Sequence, residues 1–276
     1  QPAAQEFLTE HEIAFRRSAV GRVLMIAAPK LDRLFELVGN SGCGIVLTDS
    51  DGVVIDHRFS EADAPVFSGW GLDLGADWSE AVEGTNGFGT CLAEKRPLTI
   101  HRDEHFLESN TAMSCIDAPI YGADGEIIAA LDVSSARADQ TEVINGLIAA
   151  MVAQTARSIE ADNFREKYAS SRIVVAGTED SDGAMLVAVD NDDIVVGATR
   201  GARKAYGLEL KGTIAPRPAV DLFGRIDDAS GFEKAERAAV MRALVRAGDN
   251  VSDAARNLGV SRATLYRRMK RLGILP

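Results

Sequence analysis

The sequence predicts an α+β fold followed by an all-α C-terminal end. Two apolar stretches, 44–55 and 118–133, are each interrupted by an Asp-Gly turn, the pattern of antiparallel hairpins. The stretches 1–38 and 138–169 repeat apolar residues every three to four positions, as helices do. Residues 225–276 divide at glycines into three short helical runs with no strand signal among them.

Taken in order, residues 1–38 read mainly as helix, with Leu31, Leu34, Phe35 and Val38 on one face that must be buried. Residues 44–49 are an apolar strand, Ser50-Asp51-Gly52 a turn, and 53–55 a returning strand. Residues 78–89, rich in glycine and polar side chains, form a loop leading into a short helix, and 97–100 form another strand. A second hairpin joins 118–121 to 126–133 through Ala123-Asp124-Gly125. Next comes a long helix over 138–169. Val143, Leu147, Ala150, Met151, Gln154, Ile159 and Phe164 trace its stripe, and at about 1.5 Å per residue it overruns one compact domain. The overhang calls for a partner, most simply a second copy of the chain, although a kinked helix lying on its own sheet also fits. A small unit follows, with strands at 184–189 and 194–196, a turn at 190–193 and a helical turn over 202–206. Pro216 and Pro218 then break the pattern. So short a segment is expected to lean on a neighbour.

The last helices run over 232–247, from Asn250 to Leu258, and from Ser261 to Leu272. Val240, Ala243, Leu244 and Ala247 line the first, and Val251, Ala254, Ala255 and Leu258 the second. Asn250 and Ser261 are N-caps, and Gly259 supplies a left-handed turn between two helices that cross at the small Ala255, with Val260 and Leu265 filling the gap. The third helix then exposes Arg262, Thr264, Tyr266, Arg267, Arg268, Lys270 and Arg271. This is a helix-turn-helix with a basic outer face, the shape and chemistry that a major groove admits. Arg262, Thr264 and Arg267 are expected to read bases, with Arg267 or Arg268 forking onto guanine, and Ser261, Tyr266 and Lys270 to hold phosphates.

Charge agrees once the chain is divided. The whole 276-residue sequence carries −11, but 225–276 holds 11 Lys and Arg against 6 Asp and Glu, so this end is +5 and the rest −16. Apolar residues at 46% supply real cores, and no run of about 18 apolar residues suggests a membrane span. The first residues do not read as a secretory signal. Cys43, Cys91 and Cys115 are odd in number and widely spaced, which fits free thiols in a reducing cytoplasm.

Gly248-Asp249-Asn250, Ala254-Ala255, Leu258-Gly259-Val260-Ser261-Arg262 and the run from Thr264 to Met269 closely resemble the C-terminal helix-turn-helix of the Fis family. That resemblance implies double-stranded operator DNA bound by a homodimer. Leu47-Thr48-Asp49, Trp78-Ser79-Glu80, the run from Glu83 to Thr90, Glu104-His105-Phe106, Cys115, Ala118-Pro119-Ile120, Asp124-Gly125 and Leu131-Asp132-Val133-Ser134 resemble the GAF domain of acetoin-type catabolism regulators. One departure is that Ile116 and Asp117 stand between Cys115 and the Ala-Pro pair. Residues 184–223 more weakly resemble the start of a PAS domain. The division expected is 1–169 for the N-terminal helices, GAF-like sensor and long helix, 170–224 for a partial PAS-like segment and linker, and 225–276 for the DNA-binding domain.

Regulators of this type usually carry a central ATPase. No Gly-x-x-x-x-Gly-Lys-Ser/Thr occurs here, so action without ATP hydrolysis is expected. The GAF resemblance implies a small-molecule effector, for which Trp78, Phe88, His105, Phe106 and Cys115 are candidate contacts. Plain core packing is the competing reading of each aromatic. No cofactor, catalytic residue or metal is assigned, and RNA polymerase is a further partner that such a regulator meets. His101 and His105, four apart with Asp103 and Glu104 between them, leave a metal-responsive alternative open. Cys115 leaves open a redox-responsive one, or a thiol-dependent oxidoreductase. A module that docks on an ATPase-bearing relative is a further alternative.

Overall fold

A computed structural model describes residues 7–135, 137, 141–176, 185–190, 194–223 and 231–274. It separates into two compact units, 1–222 and 223–276.

The first unit opens with α1 (Glu10–Ala19) and α2 (Gly21–Val38). Thr9 and Glu12 form a reciprocal capping box at the start of α1. Arg16 of α1 reaches Asp49 at 2.6 Å and Asp51 at 2.9 Å, tying the helix to the first hairpin. The sheet is built from β1 (Cys43–Asp49), β2 (Val54–Arg58), β3 (Leu98–His101), β4 (Ser114–Tyr121) and β5 (Ile127–Ser135), in the order β2-β1-β5-β4-β3 with every pairing antiparallel. Between β2 and β3 lie α3 (Ala64–Gly69), α4 (Glu80–Glu83) and α5 (Gly87–Glu94). Both expected hairpins form. In the first, Asp49 Oδ1 accepts from the amides of Asp51 and Val53, and Gly52 takes φ +92° to close the turn.

Strand alternation gives the sheet two different faces. Ile45, Leu47, Ile116, Ala118, Ile120, Leu131 and Val133 face α2 and the long helix α6 (Glu142–Lys167), forming the main core. Val46 and Cys115 face α5 and the loops, packing with Val54, Phe67, Leu72, Trp78, Phe88 and Met113.

At 26 residues α6 is about 39 Å long; 138–140 of the expected span lie outside the described residues. Its buried line differs from the expected stripe. Ile148, Val152, Ala156 and Ile159 face the core, whereas Val143 is 83% and Leu147 64% exposed. The helix carries apolar residues on more than one face, so periodicity alone chose the outer face near its start.

The following segment makes a second antiparallel sheet, β6 (Arg172–Val175), β7 (Leu186–Val189), β8 (Ile194–Ala198) and β9 (Arg217–Pro218), in sequential order, with α7 (Arg200–Ala205) and α8 (Ala219–Phe223). Strand β6 was not expected, and residues 184 and 191–193 of the expected strand and turn lie outside the described residues. Pro218 pairs at the edge of this sheet, where a missing amide costs no ladder bond. The segment does lean on its neighbour: Leu186 and Ala188 pack with Ala161 and Phe164 of α6 and with Ala123. Buried Arg203 donates to the carbonyls of Ala198, Glu209 and Gly212 at 2.7–2.9 Å, replacing water at its guanidinium.

The second unit consists of α9 (Gly231–Arg246), α10 (Val251–Asn257) and α11 (Arg262–Arg271). Its core is Val240, Ala243, Leu244, Ala254, Ala255, Leu265, Met269 and Leu272, with Ala247, Val251, Leu258 and Val260 packed around it.

Candidate nucleic-acid interface and buried polar site

The turn between α10 and α11 has the geometry that its residues demand. Gly259 sits at φ +66°, and the amide of Val260 returns to Ala255 O at 3.0 Å. Asn250 Oδ1 accepts from the amides of Ser252 and Asp253 at the start of α10. Ser261 Oγ accepts from the Thr264 amide at 3.1 Å at the start of α11. Leu265 and Met269 anchor one side of α11, which leaves the other side to solvent.

That outer side carries Ser261, Arg262, Tyr266, Arg267, Arg268 and Lys270, all exposed, with Thr264 half-buried beside the cap. They differ in freedom. Arg268 and Arg271 both pair with Glu236 of α9. The Arg262 guanidinium lies 5.6 Å from the Tyr266 ring centre. Among the described residues no ion pair engages Arg262, Arg267 or Lys270, so these charges face outward.

In the first unit the candidate effector contacts are brought together unevenly. Trp78 and Phe88 are fully buried with ring centres 5.9 Å apart, and Trp78 Nε1 donates to Gly71 O at 3.0 Å, so both serve the core. Phe106, a candidate contact with core packing as its competing reading, lies on the surface instead: it is 73% exposed, with its ring over Gly84. His105 and Cys115 do meet, with Nε2 3.5 Å from Sγ.

His105 Nδ1 is 2.9 Å from Arg102 O, which only accepts, so Nδ1 carries the proton and Nε2 presents a lone pair. Ser134 Oγ donates to Asp132 Oδ2 at 2.6 Å and lies 3.3 Å from the same sulfur. The thiol therefore faces two acceptors. Burial pushes Cys115 well above the usual thiol range and His105 below the usual imidazole range. The pair is a neutral thiol and a neutral imidazole, which gives no support to a reactive thiolate. His101 Nδ1 is 2.6 Å from Ser114 Oγ, and among the described residues no group of three or more His, Cys, Asp or Glu is placed to hold a metal.

Sequence reasoning missed Asp117 and Asp132, which oppose each other across β4 and β5, both buried, on the face under α5. The available signal was a charged residue inside each apolar strand run. The departure at Ile116 and Asp117 leaves β4 a continuous strand, with Ile116 on the α6 face and Asp117 turned to the α5 face.

Residues 23–159 match the GAF domain family, and residues 231–272 match the family described as bacterial regulatory protein, Fis family. The acetoin catabolism regulatory protein of Cupriavidus necator is 31% identical over 204 residues, 72% of this chain and 30% of that protein. The acetoin dehydrogenase operon transcriptional activator AcoR of Bacillus subtilis is 30% identical over 147 residues, 52% of this chain and 24% of that protein. The chain thus spans less than a third of the length of these curated relatives. In the crystal structure of the E. coli DhaR(N)–DhaL complex, a chain shares the fold at a TM-score of 0.55 and 11% identity, covering 80% of this chain and 75% of that one. Among the described residues no helix is long and apolar enough to cross a membrane.

Proposed function

We propose that this chain, which joins a GAF domain to a Fis-family helix-turn-helix and is homologous to acetoin catabolism regulators, is a ligand-responsive transcription regulator that binds operator DNA as a homodimer. The observation that carries the reading is α11: capped by Ser261, set by the Gly259 turn, and presenting Arg262, Arg267 and Lys270 free of ion pairs among the described residues. We assign 1–169 to sensing and dimerisation, 170–224 to a connecting PAS-like segment, and 225–276 to DNA. Arg262, Thr264 and Arg267 read bases, and Ser261, Tyr266 and Lys270 hold phosphates. Of the two arginines open for the guanine contact, Arg267 takes it, because Arg268 is already paired with Glu236.

Dimerisation is supported by the outer face of the α2–α6 pair, where Leu37, Val143, Ile144 and Leu147 are 45–83% exposed. Action without ATP hydrolysis is supported by the absence of a phosphate-loop motif from the sequence. We read the protein as a cytoplasmic non-enzyme, and its neutral Cys115–His105 pair fits that reading.

The test is the affinity of the full chain for palindromic and scrambled duplexes at two salt concentrations. Tighter binding to one palindrome is expected. Equal affinity for all duplexes would sink sequence-specific reading.

A further inference from the structure

Two buried acids in the GAF domain have no part in the reading above. Asp117 and Asp132 are 1% and 0% exposed and stand directly opposite each other on β4 and β5. Thr48 lies on the same sheet face, across β1–β5 from the small Ala130, one pleat along from Asp132. Its Oγ1 is fully buried and has no hydrogen-bond partner among the described residues. Both oxygens of Asp117 and Oδ1 of Asp132 likewise have no partner within ordinary hydrogen-bond geometry there; the Ile116 amide acts on Asp132, and the two facing carboxyls on each other, only more loosely. Ser134 donates to the remaining oxygen of Asp132.

Two carboxylates at this spacing away from water cannot both stay charged, so they hold at least one proton between them. Burial raises both, Asp132 to about 8. The groups facing them bring no compensating charge. Cys91 of α5 and Cys115 of β4 are thiols that burial keeps protonated, and His105 is neutral. Arg96, beyond the end of α5, acts only weakly on Cys91. Among the described residues no ion pair reaches either aspartate. Beside the acids, Phe88, Trp78 and Met113 pack with Cys115 into an apolar wall. Gly87 closes the site from above: a Cβ there would lie 2.3 Å from Asp117 Oδ2.

We propose that Asp117, Asp132 and Thr48 form the receptor for a small alkylammonium ligand, whose cationic head takes the place of the protons the two acids hold and whose apolar body lies against Phe88 and Trp78. The proposal rests on the reading of this domain as a small-molecule sensor and names the chemistry of its effector. The exchange balances: the ammonium ion enters with all its protons, each of the two acids that is protonated beforehand gives its proton to solvent, and two carboxylates then face the cation. Because α5 sits directly on Asp117, admitting the ligand lifts α5, a movement that a sensor can pass on.

The test is calorimetry on the full chain with a methyl- to butylammonium series, and with n-propanol and propionate as the uncharged and anionic counterparts. Saturable binding of an alkylammonium is expected, with proton release read from the dependence of heat on buffer. Its affinity should rise with pH between about pH 6 and about pH 8, by up to about ten-fold per pH unit for each proton released. Asp117→Asn should weaken binding by about ten-fold or more and flatten this slope. Thr48→Val, which keeps the side-chain shape, should weaken binding while keeping the slope, and it carries the comparison if Asp117→Asn fails to fold. Failure of every alkylammonium to bind overturns the proposal, as does binding indifferent to pH and to these substitutions. Binding of n-propanol alone overturns the ammonium chemistry but leaves the sensor reading standing. If none of the probes binds, native mass spectrometry for a molecule retained by the purified chain decides the sensor reading separately.

Discussion

Arg267 and Lys270 lie about one turn apart on α11, both exposed, and duplex DNA makes different demands on them. A guanidinium forks onto the two acceptors of one guanine, whereas an ammonium acts as a point charge. Arg267→Ala is expected to relax discrimination at one base pair of each half-site by about 1–3 kcal/mol. Lys270→Ala should weaken all sequences alike and lower the salt slope by about one per subunit. Competition binding at two salt concentrations separates the two, and a uniform loss from Arg267→Ala would refute its base-reading role. Asp132 makes a second prediction at this scale. Its carboxyl titrates at about 8 in the folded chain, against roughly 3.9 when unfolded. The native state therefore keeps a proton that the unfolded chain loses over this range. The stability from this group is complete below about pH 4 and is lost as pH rises towards about 8, at up to about 1.4 kcal/mol per unit. Melting followed from about pH 5 to about pH 8 should show a decline that Asp132→Asn flattens; equal slopes would contradict the buried-proton account.

At the scale of the element, α6 has two different faces. Ile148, Val152, Ala156 and Ile159 close the main core of the GAF domain. Val143 and Leu147 stand outside it, where apolar side chains gain only by meeting a partner surface. Leu147→Glu should therefore leave the fold intact and shift the full chain from dimer to monomer in light scattering at micromolar concentration. A dimer that survives this change would place the interface elsewhere. The C-terminal helices obey a more local logic. Each of α10 and α11 begins at a side-chain cap, and a glycine in the left-handed region sets the turn between them.

For the whole molecule, charge divides the chain: residues 225–276 carry +5 and the rest −16, so the proposed affinity for DNA is expected of the basic end. A regulator needs in addition that the sensor's state alter that affinity. Effector release is expected to change operator affinity of the full chain by about 5–150-fold, the span of about 1–3 kcal/mol of coupling. Native mass spectrometry can identify a retained molecule, and fluorescence anisotropy before its removal and after its return measures the change. Unchanged affinity would leave the two units uncoupled. An equal response in Asp117→Asn would assign the coupling to a site other than the buried acids.

The features that the sequence determined by itself are those set by neighbours along the chain. Asn250, Gly259 and Ser261 act within three or four residues, so the caps and turn of the helix-turn-helix could be read directly. The two hairpins were legible for the same reason, each announced by Asp-Gly between apolar runs. Tertiary structure alone decided what depends on register and packing between distant segments. It opposed Asp117 to Asp132, joined His105 to Cys115, and paired Arg268 with Glu236. It also exposed Phe106 while burying Phe88, and chose which face of α6 the core would cover. The physical reason is range: a cap or turn gains its stabilisation from its own few residues, whereas burial and the proton on a buried acid depend on side chains brought from other elements.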